Sequence, residues 1–361
     1  MELGYFLVPL HPPGSDLNES LRHDIDQIVL LDQLGYDEAW IGEHFTAHWE
    51  TIPVPDMFIA HAFALTKNIK LGTGVTCMPN HDPFMLAHRI AQLDHIGRGR
   101  FQWGIGSGGF PGDFESRGFD PKTGDHRSMT KDTLKAVLNI WNNPNPGKYQ
   151  SKHWSFTIPE PVDEIGLRYY YTPYQKPHPP IALAGGLSGK SETLQMAGES
   201  GYMPMSTTLV LPSTLVEHWN TIHEGAIAAG RTAERSQWRI ARDIYVAETT
   251  EQARREVLEG TMARDYEQYW LKLLSYGKML PDMKVDPNIP DSAVTMDYLL
   301  DNILIVGSPD DVANKLRDLH KQTGGFGVLI AGGHEWHPKD QWVRSLSLLK
   351  QEVMPKLADL K

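Results

Sequence analysis

One cysteine, Cys77, stands in 361 residues. That excludes an intrachain disulfide and a zinc site built mainly from thiolates. The scarcity of thiols fits a reducing compartment, so a cytoplasmic location is expected. No apolar run reaches the roughly 20 residues that a bilayer-spanning helix needs. The opening residues Met1-Glu2-Leu3-Gly4-Tyr5 lack the basic region of a signal peptide. Positive charge is short as well: 34 Lys+Arg stand against 45 Asp+Glu, a formal net charge of −11. A nucleic-acid binder needs a basic surface to displace counterions, so no nucleic-acid partner is expected, and no membrane partner either. No repeat recurs at a fixed period of roughly 20–50 residues, and no long linker divides the chain. The remaining expectation is one globular domain over residues 1–361, 40% hydrophobic with a mean hydropathy of −0.38.

What is present is an alternation of short apolar runs with amphipathic stretches. Strands are expected at 3–9, 37–42, 69–77, 100–105, 180–184, 202–206, 238–247 and 325–331. Each leads into residues with helical spacing. In the first such stretch Leu21, Ile25, Ile28 and Leu31 share a face, and Gly35 stands where a helix-ending glycine belongs. Eight βα units with continuous apolar strands predict an α/β fold, a (β/α)8 TIM barrel. Insertions are expected at 110–127, 143–179 and 277–302. An open doubly wound sheet is the alternative, and the run at 303–307 is a ninth strand candidate. In a barrel the chemistry gathers at the C-terminal strand ends. Here these carry His11, Glu43-His44-Phe45, Met78-Pro79-Asn80-His81, Gly106-Ser107-Gly108, the 184–191 loop, Met205-Ser206 and Gly332-Gly333-His334.

Two glycine-rich runs invite nucleotide readings. Gly104-Ile105-Gly106-Ser107-Gly108-Gly109 matches G-x-G-x-x-G after a strand. A dinucleotide site needs a helix to open inside that motif, and Phe110-Pro111-Gly112-Asp113-Phe114 reads as a loop. These glycines suit close approach of the backbone to a flat ligand. Ala184-Gly185-Gly186-Leu187-Ser188-Gly189-Lys190-Ser191 is a Walker A loop with Ala184 in place of its first glycine. A P-loop NTPase is therefore an alternative, weakened because Asp243 interrupts the 239–247 strand instead of ending it. Backbone N–H groups, a helix start capped by Ser191, and Lys190 nearby make a phosphate site, with a plain glycine-rich turn as the bland alternative. His44 ends the second strand in an apolar mouth and is a candidate acid/base group; the alternative is a structural histidine bonded to a loop carbonyl. His44 and His48 have i,i+4 spacing but lie at a strand end, so no metal is expected. Ser107 and Ser188 are not in G-x-S-x-G, and no nucleophile triad assembles.

Longer runs carry a family resemblance. They are Leu30-Leu31-Asp32-Gln33-Leu34-Gly35-Tyr36-Asp37-Glu38-Ala39-Trp40-Ile41-Gly42-Glu43-His44, Ile69-Lys70-Leu71-Gly72-Thr73-Gly74-Val75 and Gly97-Arg98-Gly99-Arg100-Phe101-Gln102-Trp103-Gly104-Ile105-Gly106. Val306-Gly307-Ser308-Pro309 and Val353-Met354-Pro355 follow. In that order, and across nearly the whole chain, they resemble the bacterial luciferase-like flavin-dependent monooxygenases. Trp49-Glu50-Thr51-Ile52-Pro53 and the 303–309 run are nearest to the terpene-oxidising members, limonene 1,2-monooxygenase and the diketocamphane (type II Baeyer–Villiger) monooxygenases.

The resemblance implies a TIM barrel that takes reduced FMN (FMNH2) from a separate flavin reductase. It implies a C4a-peroxyflavin formed with O2, which inserts one oxygen into a small apolar, terpene- or ketone-like substrate. His44 corresponds to the family's flavin-side histidine, and Gly74-Val75 to a non-prolyl cis peptide under the isoalloxazine. Gly106 and Ser107 correspond to the ring-side loop. Gly185, Gly186, Ser188, Gly189, Lys190 and Ser191 correspond to the phosphate loop. His11, Phe45, Trp49, Met78 and Met205 would shape the substrate pocket, with Phe110 and Trp336 helping to exclude water. This chain departs from the family in Phe45, where members often carry a second histidine, and in Asp82, where they carry His before Pro83. It also lacks a phosphate-binding arginine in the loop around Ser107, so Lys190 or backbone alone must serve. An F420-dependent oxidoreductase on the same fold and a non-catalytic flavin store are the rivals. Such barrels usually form homodimers through helices near the second and third units. Phe58, Ile59, Ala62, Leu65, Leu86, Ala87 and Ile90 give those helices an apolar surplus that suits an interface.

Overall fold

The computed structural model describes residues 1–142 and 145–360. Asn143 and Pro144, which open the predicted 143–179 insertion, and Lys361 lie outside the described residues. The strands in chain order are β1 Glu2–Leu7, β2 Glu38–Ile41, β3 Lys70–Thr73, β4 Thr76–Cys77, β5 Phe101–Gly106, β6 Gly147–Gln150, β7 Ser155–Ile158, β8 Ile181–Gly185, β9 Met203–Ser206, β10 Arg239–Arg242, β11 Ile244–Val246, β12 Ile305–Gly307 and β13 Val328–Gly332. Parallel pairing runs β3-β2-β1-β13-β10-β9-β8-β5, and β3 pairs with β5 to close the ring. The closed eight-position barrel stands, and the open sheet does not.

All six residues of β5 are buried, as a strand covered on one face by helices and on the other by the barrel interior requires. The bottom of the interior is sealed by charge. Glu38 accepts from Arg239 Nε and Nη2 at 2.9 Å each, from Trp40 Nε1 at 2.8 Å and from Gln102 Nε2 at 3.1 Å. A buried carboxylate with four donors is satisfied, which leaves the opposite, C-terminal end for chemistry. Above this plug, Trp40, Ala182, Met205, Ala241, Val328 and Ile330 form an apolar cluster.

Local chemistry sets the helix ends. Asp16 caps α1 (Leu17–Leu34) through the N–H groups of Asn18 and Glu19, and Gly35 ends it at φ 81°. The helices that follow are α2 Pro55–Leu65, α3 Pro83–Gly97, α4 Pro111–Ser116, α5 Asp125–Asn142, α6 Glu192–Ser200 and α7 Pro212–Ala228.

Four expectations need correction. The strand at 69–77 divides into β3 and β4 around a cis Gly74–Val75 peptide. The strand at 238–247 divides at Asp243, after which β11 leaves the barrel ladder and pairs with β12, the ninth candidate. Glycine at 332 permits this divergence: a Cβ there would stand 1.7 Å from Asp243 Oδ1. Beyond β11 the helical stretch that starts at Thr250 breaks at Gly260, and a π turn occupies Tyr266–Trp270. The loop at 110–114 is partly helical, α4, but that helix opens beyond the glycine motif, not inside it. The 143–179 insertion contains the antiparallel β6–β7 hairpin. The apolar surplus of α2 and α3 is mostly internal: Phe58, Ile59, Ala62, Leu86, Ala87 and Ile90 are buried, whereas Leu65 is exposed.

Candidate active site

A cavity of about 430 Å³ opens at the C-terminal end of the barrel. Its wall comes from the ends of β2, β4, β5 and β8, the start of α5 and the start of α6. Of the predicted positions it gathers His44, Gly74, Val75, Gly106, Ser107, Gly185, Gly186, Ser188, Lys190 and Ser191. Gly189 stands just behind the wall, where a Cβ would lie 1.6 Å from Glu217 Oε2. A Cβ on Gly106 would meet Val75 Cγ2 at 2.5 Å, so glycine is needed for Val75 to reach the cavity. Nothing lies within 4 Å of a Cβ built on Gly109 or Gly186, both on the wall.

One part of the cavity gathers donors and positive charge. Ser191 caps α6, accepting from Leu194 N at 3.3 Å. The preceding loop is braced from below: His218 Nε2 donates to Ser188 O at 2.9 Å, and Ser206 Oγ donates to His218 Nδ1 at 2.9 Å. Burial pushes the His218 imidazole below its ordinary value, so it stays neutral and can hold both bonds. The α5 residues Arg127 and Lys131 reach the first turn of α6, where they pair with Glu192 at 3.5 and 3.8 Å. Both line the cavity. Sequence reasoning missed them; their i,i+4 spacing at the start of the helix after the first insertion was the available signal. Two exposed cations, Lys190 and the open N–H groups of a helix start gather at this part of the cavity, a set of donors whose chemistry suits an anion.

A second part carries the titratable groups. His44 Nε2 stands 3.1 Å from Glu50 Oε2, and Nδ1 stands 3.9 Å from Asp113 Oδ2 with no hydrogen-bond partner among the described residues. The Phe110 ring lies 5.1 Å from the imidazole. Burial drives the His44 pKa down, but the Glu50 and Asp113 carboxylates outweigh it and the net shift is upward. Asp113, on α4, accepts from Thr46 N at 3.0 Å and Thr46 Oγ1 at 2.7 Å, which clamps the chain beyond His44. Burial raises the Asp113 carboxyl, but His44 and Thr46 overcome it and hold it below the ordinary value. Glu43 accepts from His81 Nε2 and from Cys77 N, each at 3.0 Å. Burial pushes the Cys77 thiol well up, so it faces the cavity as a neutral group.

The five residues expected to shape a substrate pocket do not line this cavity. His11 is buried in an ionic cluster with Asp24 and Glu335. Met78 is closed in the core, and Met205 lies in the barrel interior. Phe45 is exposed with its ring 6.2 Å from His81, and Trp49 stacks on Tyr269 at 5.5 Å. Phe110 flanks His44, whereas Trp336 is buried in a separate apolar cluster. Among the described residues no group of three or more His, Cys, Asp or Glu could hold a metal ion, and no helix is long and apolar enough to cross a membrane.

Residues 1–325 match the model of a family described as luciferase-like monooxygenase. Similar curated proteins include 4-hydroxyprotoasukamycin monooxygenase of Streptomyces nodosus subsp. asukaensis, 33% identical over 99% of this chain and 92% of that protein. Limonene 1,2-monooxygenase of Rhodococcus erythropolis is 30% identical over 98% of this chain and 86% of its own. Among solved structures, the oxygenating constituent of 3,6-diketocamphane monooxygenase from Pseudomonas putida, a type II Baeyer–Villiger monooxygenase in complex with FMN, superimposes with a TM-score of 0.91. It is 32% identical and covers 99% of this chain and 98% of that one.

Proposed function

The chain belongs to the luciferase-like monooxygenase family, and from that premise we propose that it is the oxygenase component of a two-component system, binding reduced FMN in the mouth cavity and inserting one atom of O2 into a small apolar, terpene- or ketone-like substrate. The observation that carries the reading is the pairing, in one cavity, of a phosphate cradle at the α6 start with the His44 imidazole on the wall. A glycine-lined wall with a dianion site at one part fits a flat ring system bearing a phosphate. When bound, reduced FMN supplies the capacity to activate O2 at its C4a position.

The chain's own residues do the rest. Arg127, Lys131, Lys190 and the first N–H groups of α6 hold the phosphate. Gly74, Val75, Gly106 and Ser107 form the floor for the ring. The His44 imidazole, on the cavity wall, holds or releases a proton, and Phe110 beside it keeps water away from the ring. The protein is read as a single barrel domain with no nicotinamide site, so a separate reductase provides the reduced flavin. A homodimer is proposed through α2 and α3, whose exposed Met57, Leu65, Met85 and Ile96 remain uncovered in one chain; the mass by light scattering at micromolar concentration should be twice that of the chain.

Anaerobic equilibrium binding tests the cofactor. Reduced FMN should bind more tightly than reduced riboflavin or reduced F420. Tighter binding of F420 would move the function to hydride transfer, and tight ATP binding would revive the NTPase alternative.

A further inference from the structure

The cavity wall stops at His44, but the groups that govern it continue behind it. Glu50 is 4% exposed and has both carboxylate oxygens engaged. Oε2 stands 3.1 Å from His44 Nε2, and Oε1 accepts from the Tyr269 hydroxyl at 2.6 Å. Its backbone is fixed: Leu10 and Glu50 form an antiparallel bridge, and His11 N donates to Trp49 O at 2.9 Å. Tyr269 is fixed as well. It lies on the Tyr266–Trp270 π turn and stacks on Trp49 at an interplanar angle of 18°. The π turn widens the helix so that two tyrosines reach buried carboxylates, Tyr266 to Asp243 and Tyr269 to Glu50.

We infer that Glu50 is a positioning residue for His44: its carboxylate, held by Tyr269, keeps a proton on Nε2 and sets the protonation of the ring that lines the cavity. The physical reason is local. A neutral imidazole must turn one lone pair outward. A lone pair on Nε2 would face the Glu50 carboxylate at 3.1 Å, which repels it, so the proton stays on Nε2. Nδ1 then carries the lone pair or the second proton. The same negative charge favours the imidazolium, and it acts beside two other carboxylates that face the ring: Asp113 from α4, on the Nδ1 side, and Glu43 from the end of β2. Tyr269 contributes by occupying Oε1, so that Oε2 alone is left to meet the ring.

Catalytic consequences of this arrangement rest on the oxygenase reading, but the arrangement itself is tested without flavin. Isotope-edited NMR of the FMN-free full chain follows the imidazole titrations, with the His44 signal assigned by its loss in His44→Gln. The His44 midpoint should fall by about 1–2 pH units in Glu50→Gln. It should move by less than half that in Tyr269→Phe, which removes the hydroxyl from Glu50 Oε1 but keeps the charge. Asp113→Asn should lower it by less than Glu50→Gln does. Should Glu50→Gln not fold, Glu50→Asp is read in its place and should give a smaller but measurable fall. An unchanged midpoint without the Glu50 carboxylate, or a larger fall in Asp113→Asn, overturns the inference. With substrate in hand, the basic limb of the kcat profile should move with the NMR midpoint while the substrate KM stays level. Because the titration needs no flavin, its failure removes the role of Glu50 alone. A normal titration with no oxygenation would instead fail the functional reading alone.

Discussion

His11 and His44 end neighbouring barrel strands, and the two rings are built for opposite purposes. His11 is 1% exposed. Its Nε2 stands 3.2 Å from Asp24 and its Nδ1 stands 3.6 Å from Glu335. Glu335 is held in turn by Arg264, Arg264 by Asp265, and Asp265 accepts from His334 Nδ1 at 3.0 Å. Burial lowers the His11 pKa, but its two carboxylates overcome that and push it up to about 9. Burial likewise raises Glu335, yet His11 and Arg264 bring it down to about 2. His44 has carboxylates nearby too, but its ring forms part of the mouth-cavity wall, where His11 does not reach. A ring closed in among ions holds structure together; a ring on a cavity wall is available to a reactant.

The comparison breaks most sharply at His44. His44→Ala should fold as the wild type does and lose about 10²–10⁴-fold in turnover, measured with reductase and substrate. His11→Ala, by contrast, should lose folded protein first. The next largest effect concerns the cradle. Arg127→Ala combined with Lys131→Ala should weaken FMN binding by about 10–100-fold, since each bond to a charged group is worth about 1.5–3 kcal/mol before surface screening. Riboflavin affinity should not change, which calorimetry on both ligands checks.

His11→Asn should then cost on the order of 1–3 kcal/mol at neutral pH, read from the urea midpoint. The pH dependence sharpens that figure. The folded value of His11 lies above the ordinary 6.5, so its contribution is full below pH 6.5 and is lost as pH rises through about 9. Glu335 lies below its ordinary 4.5, so its contribution is full above pH 4.5 and is lost as pH falls through about 2. His11→Asn should flatten the alkaline decline and leave the acid one. Smallest is Ser191→Ala, which removes a helix cap worth about 1 kcal/mol and should weaken FMN binding only modestly.

The eight barrel positions were legible because fully buried parallel strands read as continuous apolar runs between helical spacings. Gly35 and Ser191 were legible as helix punctuation because their roles depend on nearest neighbours. What escaped depends on residues far apart in the chain. Glu50 is bonded to Tyr269 over 219 positions, and Arg127 matters through Glu192 across 65. The substrate-pocket expectations went astray for a related reason. A strand end places a residue at the mouth but does not fix which way it turns, and Met205 turns inward while His11 turns to Asp24. The break at Asp243 was visible as a charge in an apolar run. That it releases β11 to pair with β12 was not, because the partner lies about sixty residues on.

The most direct test is rapid mixing of the chain loaded with reduced FMN against oxygenated buffer, following the return of oxidised-flavin absorbance. A mouth that shields the reacting flavin from water should delay that return well beyond the protein-free control, and His44→Ala should shorten the delay. Oxidised flavin returning at the protein-free rate in the wild-type chain, with the flavin shown to be bound, would contradict the account.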